Sequence, residues 1–507
     1  MTLSSVAVLG AVTVASLIAF RIIYNLRFHP LAKFPGPWYL AVTSLPLAII
    51  SLLKREPEWL LDLAKKYSDG DIPIRIAPTL LLFPKPSSIK DIYWDPKNNT
   101  KAGLYGTGML GPPHLFTTIN GEDHRILRKA LGGPQWSFGA LKNIWEPRID
   151  SLIELLTSKL FSAAECNEPV VLCDRVAQFA ADVMTLVSFS EPWGFVEHGR
   201  DERGILQSFR DGLVFFGFAG RFRGLRETVL KHPPLAKFLL PKVDDEGGNG
   251  FLMWQADRQV AERERRIEDE GFEQEKPDYL QHTLEARING QPLNPMQKRA
   301  HVTLLIQAGA DTTGTAMGST LRFLLLNPSC LAKTRAEIDA AETAGYLSSP
   351  VQYEETRAHL PYLIACIKEG GLRLNPPATN LFARVAGPGG AKVGSVSVPE
   401  GYEMTSNAYV VQRDPELFGP DPEVFRPERW LEGSSEHKAA EMEAGLFVFG
   451  VGPRVCLGKD IAMFELYKLL PEIIRRFDME LLDKGRYVVA GGVAYNKDLV
   501  VKLSARV

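Results

Sequence analysis

Residues 6–20 read VAVLGAVTVASLIAF, an uncharged apolar run that Arg21 interrupts and Ile22, Ile23 and Tyr24 continue. A helix over residues 3–24 rises about 33 Å at 1.5 Å per residue, enough for a bilayer core of about 30 Å. No positive side chain precedes Val6 and no A-x-A cleavage site follows, so the segment reads as a retained anchor rather than a cleaved leader. Arg27, His29 and Lys33 come next, and the first acidic residue is Glu56. The positive flank therefore places the body of the protein in the cytosol. Pro30, Pro35 and Pro37 then forbid a continuing helix and stiffen the exit.

Beyond the prolines the periodicity changes repeatedly. Residues 56–68 carry an amphipathic helix pattern, and 72–83 alternate as strands do. Residues 141–160 and 171–190 are helical again. The charged run 255–276 reads as a solvated helix followed by a loop. Helical patterns dominate to about residue 375. After it come short strand-like runs at 394–399 and 401–411, and a final strand pair over 486–504. No repeat and no long Gly/Ser linker divides the chain. The pattern predicts an anchor at 1–27, a proline-rich hinge at 28–40 and one large domain at 41–507, mainly α with small β-sheets.

Composition narrows the function classes. Lys and Arg total 58 and Asp and Glu 60, for a net charge of −2 over 507 residues, which excludes a strongly basic nucleic-acid binder. Hydrophobic residues at 45% are enough for a sizeable core. The five cysteines, at 166, 173, 330, 366 and 456, are too few and odd in number for a secreted disulfide framework. Four of them read as fillers.

Cys456 is different. Residues 447–458 are FVFGVGPRVCLG, a glycine-rich loop followed at once by a strong helix pattern. Glycines let backbone approach a flat group closely. A cysteine at a helix N-terminus is expected to have a lowered thiol pKa. A thiolate aimed at a flat cofactor is how haem iron gains a cysteine ligand. Phe449, Gly452, Arg454, Cys456 and Gly458 meet the pattern F-x-x-G-x-R-x-C-x-G in full, and the chain resembles the cytochrome P450 family, in a membrane-anchored fungal form. The proline stretch 29–37 resembles the hinge of fungal members. Phe425, Pro427, Glu428 and Arg429 match a further F-x-P-E-R signature.

The resemblance implies the cytochrome P450 fold, with haem b held by Cys456 as the axial ligand of iron and with Phe449 and Gly450 beside it. It assigns the haem carboxylates to Arg454, to Arg384 on a strand, and to His124 and Arg128, four apart on one helix face. Within the apolar run 304–328, Ala308 to Thr313 read AGADTT. Polar residues inside such a helix need partners or a task. By resemblance Asp311 and Thr312 manage proton delivery, while Ala308 and its small neighbours leave room for a ligand.

The family's E-x-x-R frame is represented by Glu369 and Arg373, with three residues between them instead of two. Spacing of four still puts both on one face, and Gly370 and Gly371 allow a local bulge that absorbs the extra residue. Glu369, Arg373 and Arg429 are expected to form one network. The pocket is expected from the 104–116 loop, the 211–220 segment, Ala308 and Thr312, Ala378 to Phe382, and Val493 to Tyr495. Its apolar character implies a moderately sized apolar or aromatic substrate.

The implied activity is a monooxygenase reaction (hydroxylation, desaturation, epoxidation or oxidative coupling) with O2 as co-substrate, in fungal secondary metabolism. Electrons come from NADPH through a separate haemoprotein reductase, with a cytochrome b-type donor as a second partner. The alternatives are a haem-thiolate isomerase or dehydratase that needs no reductase, and a xenobiotic or fatty-acid hydroxylase. The expected setting is the endoplasmic reticulum membrane, single-pass, with a monomeric cytosolic catalytic domain.

Overall fold

The computed structural model describes residues 3–106, 113–133, 139, 141–225, 228, 242–243, 245–272, 278–379, 383–431 and 436–506. The first helix, α1 (Leu3–Ile23), continues as a π-turn over Tyr24–Phe28. Val8, Leu9, Val12, Leu17, Ile18 and Phe20 are all exposed on it. Among the described residues, Val8–Phe28 is the one stretch long and apolar enough to cross a membrane, and it is only 6% buried. An apolar helix left bare on all sides is unfavourable in water and suited to lipid. His29 turns the chain into extended backbone ahead of Pro30, as a residue before proline prefers. Asn25 is buried, and its carbonyl accepts a 2.8 Å bond from Arg75 Nη1. The end of the anchor is thus clipped to the body.

The body is mainly helical. Helices used below are α2 (Glu56–Tyr67), α3 (Gly121–Leu131), α4 (Glu146–Glu165), α5 (Leu172–Phe189), α6 (Ile205–Ala219), α7 (Gly248–Glu270), α8 (Pro295–Leu326) and α9 (Lys459–Arg476). The strands are β1 (Ile74–Ala77), β2 (Leu80–Leu82), β3 (Pro169–Val171), β4 (Arg384–Val385), β5 (Glu403–Thr405), β6 (Phe477–Ala490) and β7 (Val493–Ala505). One sheet has the order β1-β2-β5-β4 and another β6-β7-β3. Two short hairpins complete the sheets. The 401–411 run is strand only at β5. Ala408–Val411 turn helical because the Asn407 side chain caps that turn by accepting from Val410 N–H.

Helix α8 is the axis of the core. It begins with a capping box, Asn294 and Gln297 bonding reciprocally, and Pro295 at its first position, a strong start signal. Its 32 residues form one continuous helix through the Asp311-Thr312 step. On one side α8 packs along α5. A Cβ on Gly309 would collide with the Met184 side chain, and one on Gly314 would lie 2.7 Å from Ala177 Cα. These small residues therefore serve helix–helix contact, and only part of the small-residue stripe is left for a ligand. Cys173, Cys330 and Cys366 are buried, whereas Cys166, following α4, is exposed and fills nothing.

Candidate functional site

The loop before α9 is built from two tight turns, Phe447–Phe449 and Gly452–Arg454. Gly452 has φ +72°, and a Cβ there would stand 2.5 Å from the Tyr93 carbonyl oxygen, so glycine is required at this close approach. The loop closes when Cys456 N–H donates to the Phe449 carbonyl at 2.9 Å. The Cys456 side chain is exposed, yet desolvation raises its thiol pKa. The Gly458 N–H, Arg128 and Lys459 act in the opposite direction and favour the thiolate. The lowered thiol expected at a helix N-terminus is thus corrected: α9 begins only at Lys459, and burial outweighs its field.

Around this loop stands a group of cations. Asn120 caps α3 by accepting from Glu122 and Asp123 N–H, which sets His124 and Arg128 on the face turned toward the loop. Arg128 Nη1 donates to the Val455 carbonyl, next to the cysteine. Arg454 spreads over the carbonyls of Asn99, Thr118, Ile119 and Asn120 and over Asn99 Oδ1. Arg384, from β4, lies over the Tyr93 ring at 5.0 Å. Burial and then Arg384 push Arg454 down to about 9. Burial, Arg454, Lys101, Arg128 and Arg384 push buried His124 down to about 3, so it is neutral at physiological pH and donates from one ring nitrogen only. Like charges gathered in a buried place disfavour the charged form, and an anion beside them would favour it.

On α8, Ala308 is exposed and Thr312 half-exposed, although both lie mid-helix in the core. Thr312 Oγ1 donates to the Ala308 carbonyl at 2.6 Å. Leu304, one turn earlier, shares an apolar cluster with Leu127, Leu131 and Leu457. That cluster ties α8, α3 and the cysteine loop together. Asp311 is 2% exposed and forms a two-pronged ion pair with Arg210 of α6, at 2.6 Å from Nη2 and 3.0 Å from Nε. Burial alone would lower the Arg210 pKa, but Asp311 outweighs it and the guanidinium is held more firmly charged. Arg210 also lies 4.8 Å over the Tyr495 ring, whose hydroxyl accepts from Lys54 Nζ at 3.0 Å. Arg210 carries no sequence signal: α6 reads only as a Phe- and Gly-rich pocket wall.

The Glu369 network occupies a π-helical segment, Ile367–Leu374. Arg373 clasps Glu369 with two bonds of 2.8 and 2.7 Å, and Arg429 Nε adds a third at 2.8 Å. The Arg426 N–H and Trp430 Nε1 also donate to Glu369. Burial favours the neutral acid, but Arg373 and Arg429 prevail and hold the carboxyl below its ordinary range. Arg373 continues to the Gln412 and Pro422 carbonyls. The π-turn carries the extra residue between the two charges. Gly371 lets this segment press on α8, where a Cβ would stand 2.5 Å from Thr320 Oγ1 and 2.6 Å from the Ala316 carbonyl.

Of the pocket residues, Ala378 bridges Val493, and Tyr495 is buried beside them. Phe449 is half-buried against the main core. Phe382 lies outside the described residues, as do residues 107–112 of the early loop.

The profile of the family described as Cytochrome P450 matches residues 94–488. The chain is 30% identical over 496 residues to the cytochrome P450 monooxygenase ABA1 of Pyricularia oryzae, covering 96% of this chain and 94% of that one. It is 30% identical over 486 residues to aba1 of Botryotinia fuckeliana, at 94% and 92% coverage. It is also 30% identical over 485 residues to cicH of Emericella nidulans, at 93% and 92%.

Proposed function

The chain belongs to the cytochrome P450 family, among its fungal members, and on that premise we propose that it is a membrane-anchored haem-thiolate monooxygenase. The observation that carries this reading is the pairing of an accessible, dehydrated Cys456 thiol with the cation group that reaches it through Arg128. The donor set fits haem b: one soft sulfur for iron, and Arg454, Arg384, Arg128 and His124 for its two carboxylates. Bound haem supplies the oxygen-activating redox chemistry, with dioxygen as co-substrate.

The chain's own residues set the conditions for that chemistry. Gly458 N–H donates to the Cys456 sulfur and, with Arg128 and Lys459, stabilises its deprotonated form against the cost of burial. Phe449 and Gly450, in the turn ahead of Cys456, would lie beside bound haem. Thr312 Oγ1, accessible on α8, donates to the Ala308 carbonyl at rest and would relay a proton by turning its hydroxyl outward, releasing one proton and accepting another from water. Asp311 would pass a proton taken up from solvent to this path only as its pair with Arg210 opens; with the pair closed, Arg210 fixes where that carboxylate stands. Glu369, Arg373 and Arg429 hold the frame and take no part in proton transfer. Ala308, Ala378 and Tyr495 border the substrate, an apolar or aromatic small molecule of fungal secondary metabolism.

Electrons come from NADPH through a separate membrane-bound reductase. The helix α1 holds the body at the endoplasmic reticulum membrane, facing the cytosol. Turnover of a metabolite panel, preselected by low-to-high spin shifts, tests the reading. Product that requires both NADPH and the reductase is the expected result. Conversion of substrate at the same rate without either would overturn the monooxygenase reading in favour of an isomerase or dehydratase.

A further inference from the structure

The helix Leu45–Leu52 ends in a Schellman motif. Lys54 N–H donates to the Ser51 carbonyl at 3.0 Å, and Arg55 N–H to the Ile50 carbonyl at 3.2 Å. The turn residue of such a motif has left-handed backbone, and here it is Lys54, with φ +60°. Glycine takes this conformation freely, whereas a residue with a Cβ is strained in it. A lysine held where glycine is free of strain is a mark of function rather than of folding.

The side chain reaches inward. Lys54 Nζ donates to the Tyr495 hydroxyl at 3.0 Å, and Tyr495 is buried. On β7, Tyr495 projects to the same face as Val493, two residues earlier. Both belong to one apolar cluster with Leu104 and Phe116 of the early loop and Leu213 and Phe216 of α6, walls expected of the substrate pocket. Half-buried Lys54 stands at the rim of that cluster, beside the exposed Leu52 and Leu53.

Donors at this rim outnumber acceptors. An ammonium has three N–H bonds and a phenol one O–H. Among the described residues, Lys54 spends one of its three and the Tyr495 O–H has no acceptor. The carboxylates close by are taken by other cations. Glu56, two residues on, accepts from Arg221 at 2.6 and 2.8 Å. Asp311 is held by Arg210, which covers the Tyr495 ring. A cation and a hydroxyl with unspent donors, at the edge of an apolar pocket, suit a carboxylate and its two oxygens.

We propose that Lys54 and Tyr495 form an acid-recognition site, so that the substrate is an apolar molecule carrying a carboxylate group. The proposal rests on the monooxygenase reading above and narrows its substrate class. The apolar body lies against Leu213, Phe216 and Val493, and the carboxylate pairs with Lys54 Nζ while accepting from the Tyr495 hydroxyl.

The test titrates full-length holoenzyme in non-ionic detergent with dodecanoic acid and 1-naphthylacetic acid, each beside its methyl ester. Binding is followed by the spin-state shift and, independently of haem, by equilibrium dialysis of the radiolabelled probe. Wild type is expected to bind the acid of at least one pair about tenfold more tightly than its ester. Lys54→Met is expected to remove that preference while leaving ester affinity unchanged, and Lys54→Arg to keep it. No acid preference in either pair for wild type, or a preference that survives in K54M, would overturn the proposal. Should K54M assemble poorly, K54G relieves the turn of strain and carries the same titrations. Flotation on phosphatidylglycerol vesicles that drops in K54M, with no acid preference in detergent, would assign Lys54 to lipid headgroups and overturn it too. The wild-type carbon monoxide spectrum reports the haem-thiolate reading separately. A thiolate band there with K54M dialysis indistinguishable from wild type sinks the Lys54 assignment alone.

Discussion

Thr312 and Asp311 are neighbours in sequence with opposite surroundings. Thr312 is accessible and bonded only within its own helix turn, whereas Asp311 is sealed and paired with Arg210. The two side chains therefore fail in different ways. Thr312→Val keeps shape and removes one hydroxyl, so turnover is expected to fall about 10²-fold with a stability loss of about 1 kcal/mol. Product formation and denaturant curves measure both, and unchanged turnover would remove Thr312 from the proton path. Asp311→Asn leaves the mostly buried Arg210 guanidinium without its counter-charge, and a loss of about 3–5 kcal/mol is expected in addition to the turnover defect. The Cys456 motif was legible in sequence because its geometry is local: glycines, cysteine and helix start lie within a dozen residues. Arg210 was not, because its partner Asp311 is 101 residues away.

At the scale of elements, the π-helical segment and α9 carry buried charge in contrasting ways. Glu369 is answered by two arginines. Its folded pKa is depressed, so its stabilisation is full above the ordinary value of 4.5 and is lost as pH falls through the folded one. Arg373→Ala breaks this buried pair and is expected to cost about 3–5 kcal/mol. Gly371→Ala adds a methyl against Thr320 and the Ala316 carbonyl and is expected to cost about 1–3 kcal/mol by overpacking.

Glu465 on α9 is the opposite case. Among the described residues neither of its buried oxygens has a hydrogen-bond partner, and burial raises its pKa well above 4.5. The fold keeps the proton that the unfolded chain releases, so stability falls as pH rises from 4.5 through the raised value. Glu465→Gln is therefore expected to exceed the parent in stability at about pH 8 and to converge with it at acid pH. Unfolding midpoints across pH measure this, and a constant difference would contradict it. The doublet Gly370-Gly371 announced an irregular helix, but the sequence held no sign that Gly371 also serves the contact with α8.

For the whole molecule, the bare apolar α1 and the packed body are joined at a short seam where Arg75 reaches the Asn25 carbonyl. The seam sets where the anchor is separable. Deleting residues 1–22 is expected to free the body from membranes while leaving Asn25 and the folded domain intact. Membrane flotation and circular dichroism of the truncated chain check both halves of that expectation. The unbroken pattern of short elements predicts one domain, since no linker composition interrupts it. The sheet order was not legible, because β5 pairs with β2 across some three hundred residues, and β4 joins the sheet only through β5.

The central claim is that Cys456, as thiolate, holds the iron of a haem whose carboxylates meet the surrounding cations. Its most direct test is the reduced carbon monoxide difference spectrum of native wild-type protein beside Cys456→Ser. The account predicts the long-wavelength Soret band of a thiolate-ligated haem in wild type and its loss in C456S. A wild-type band at the shorter wavelength of a neutral ligand, or a long-wavelength band that survives in C456S, would contradict it.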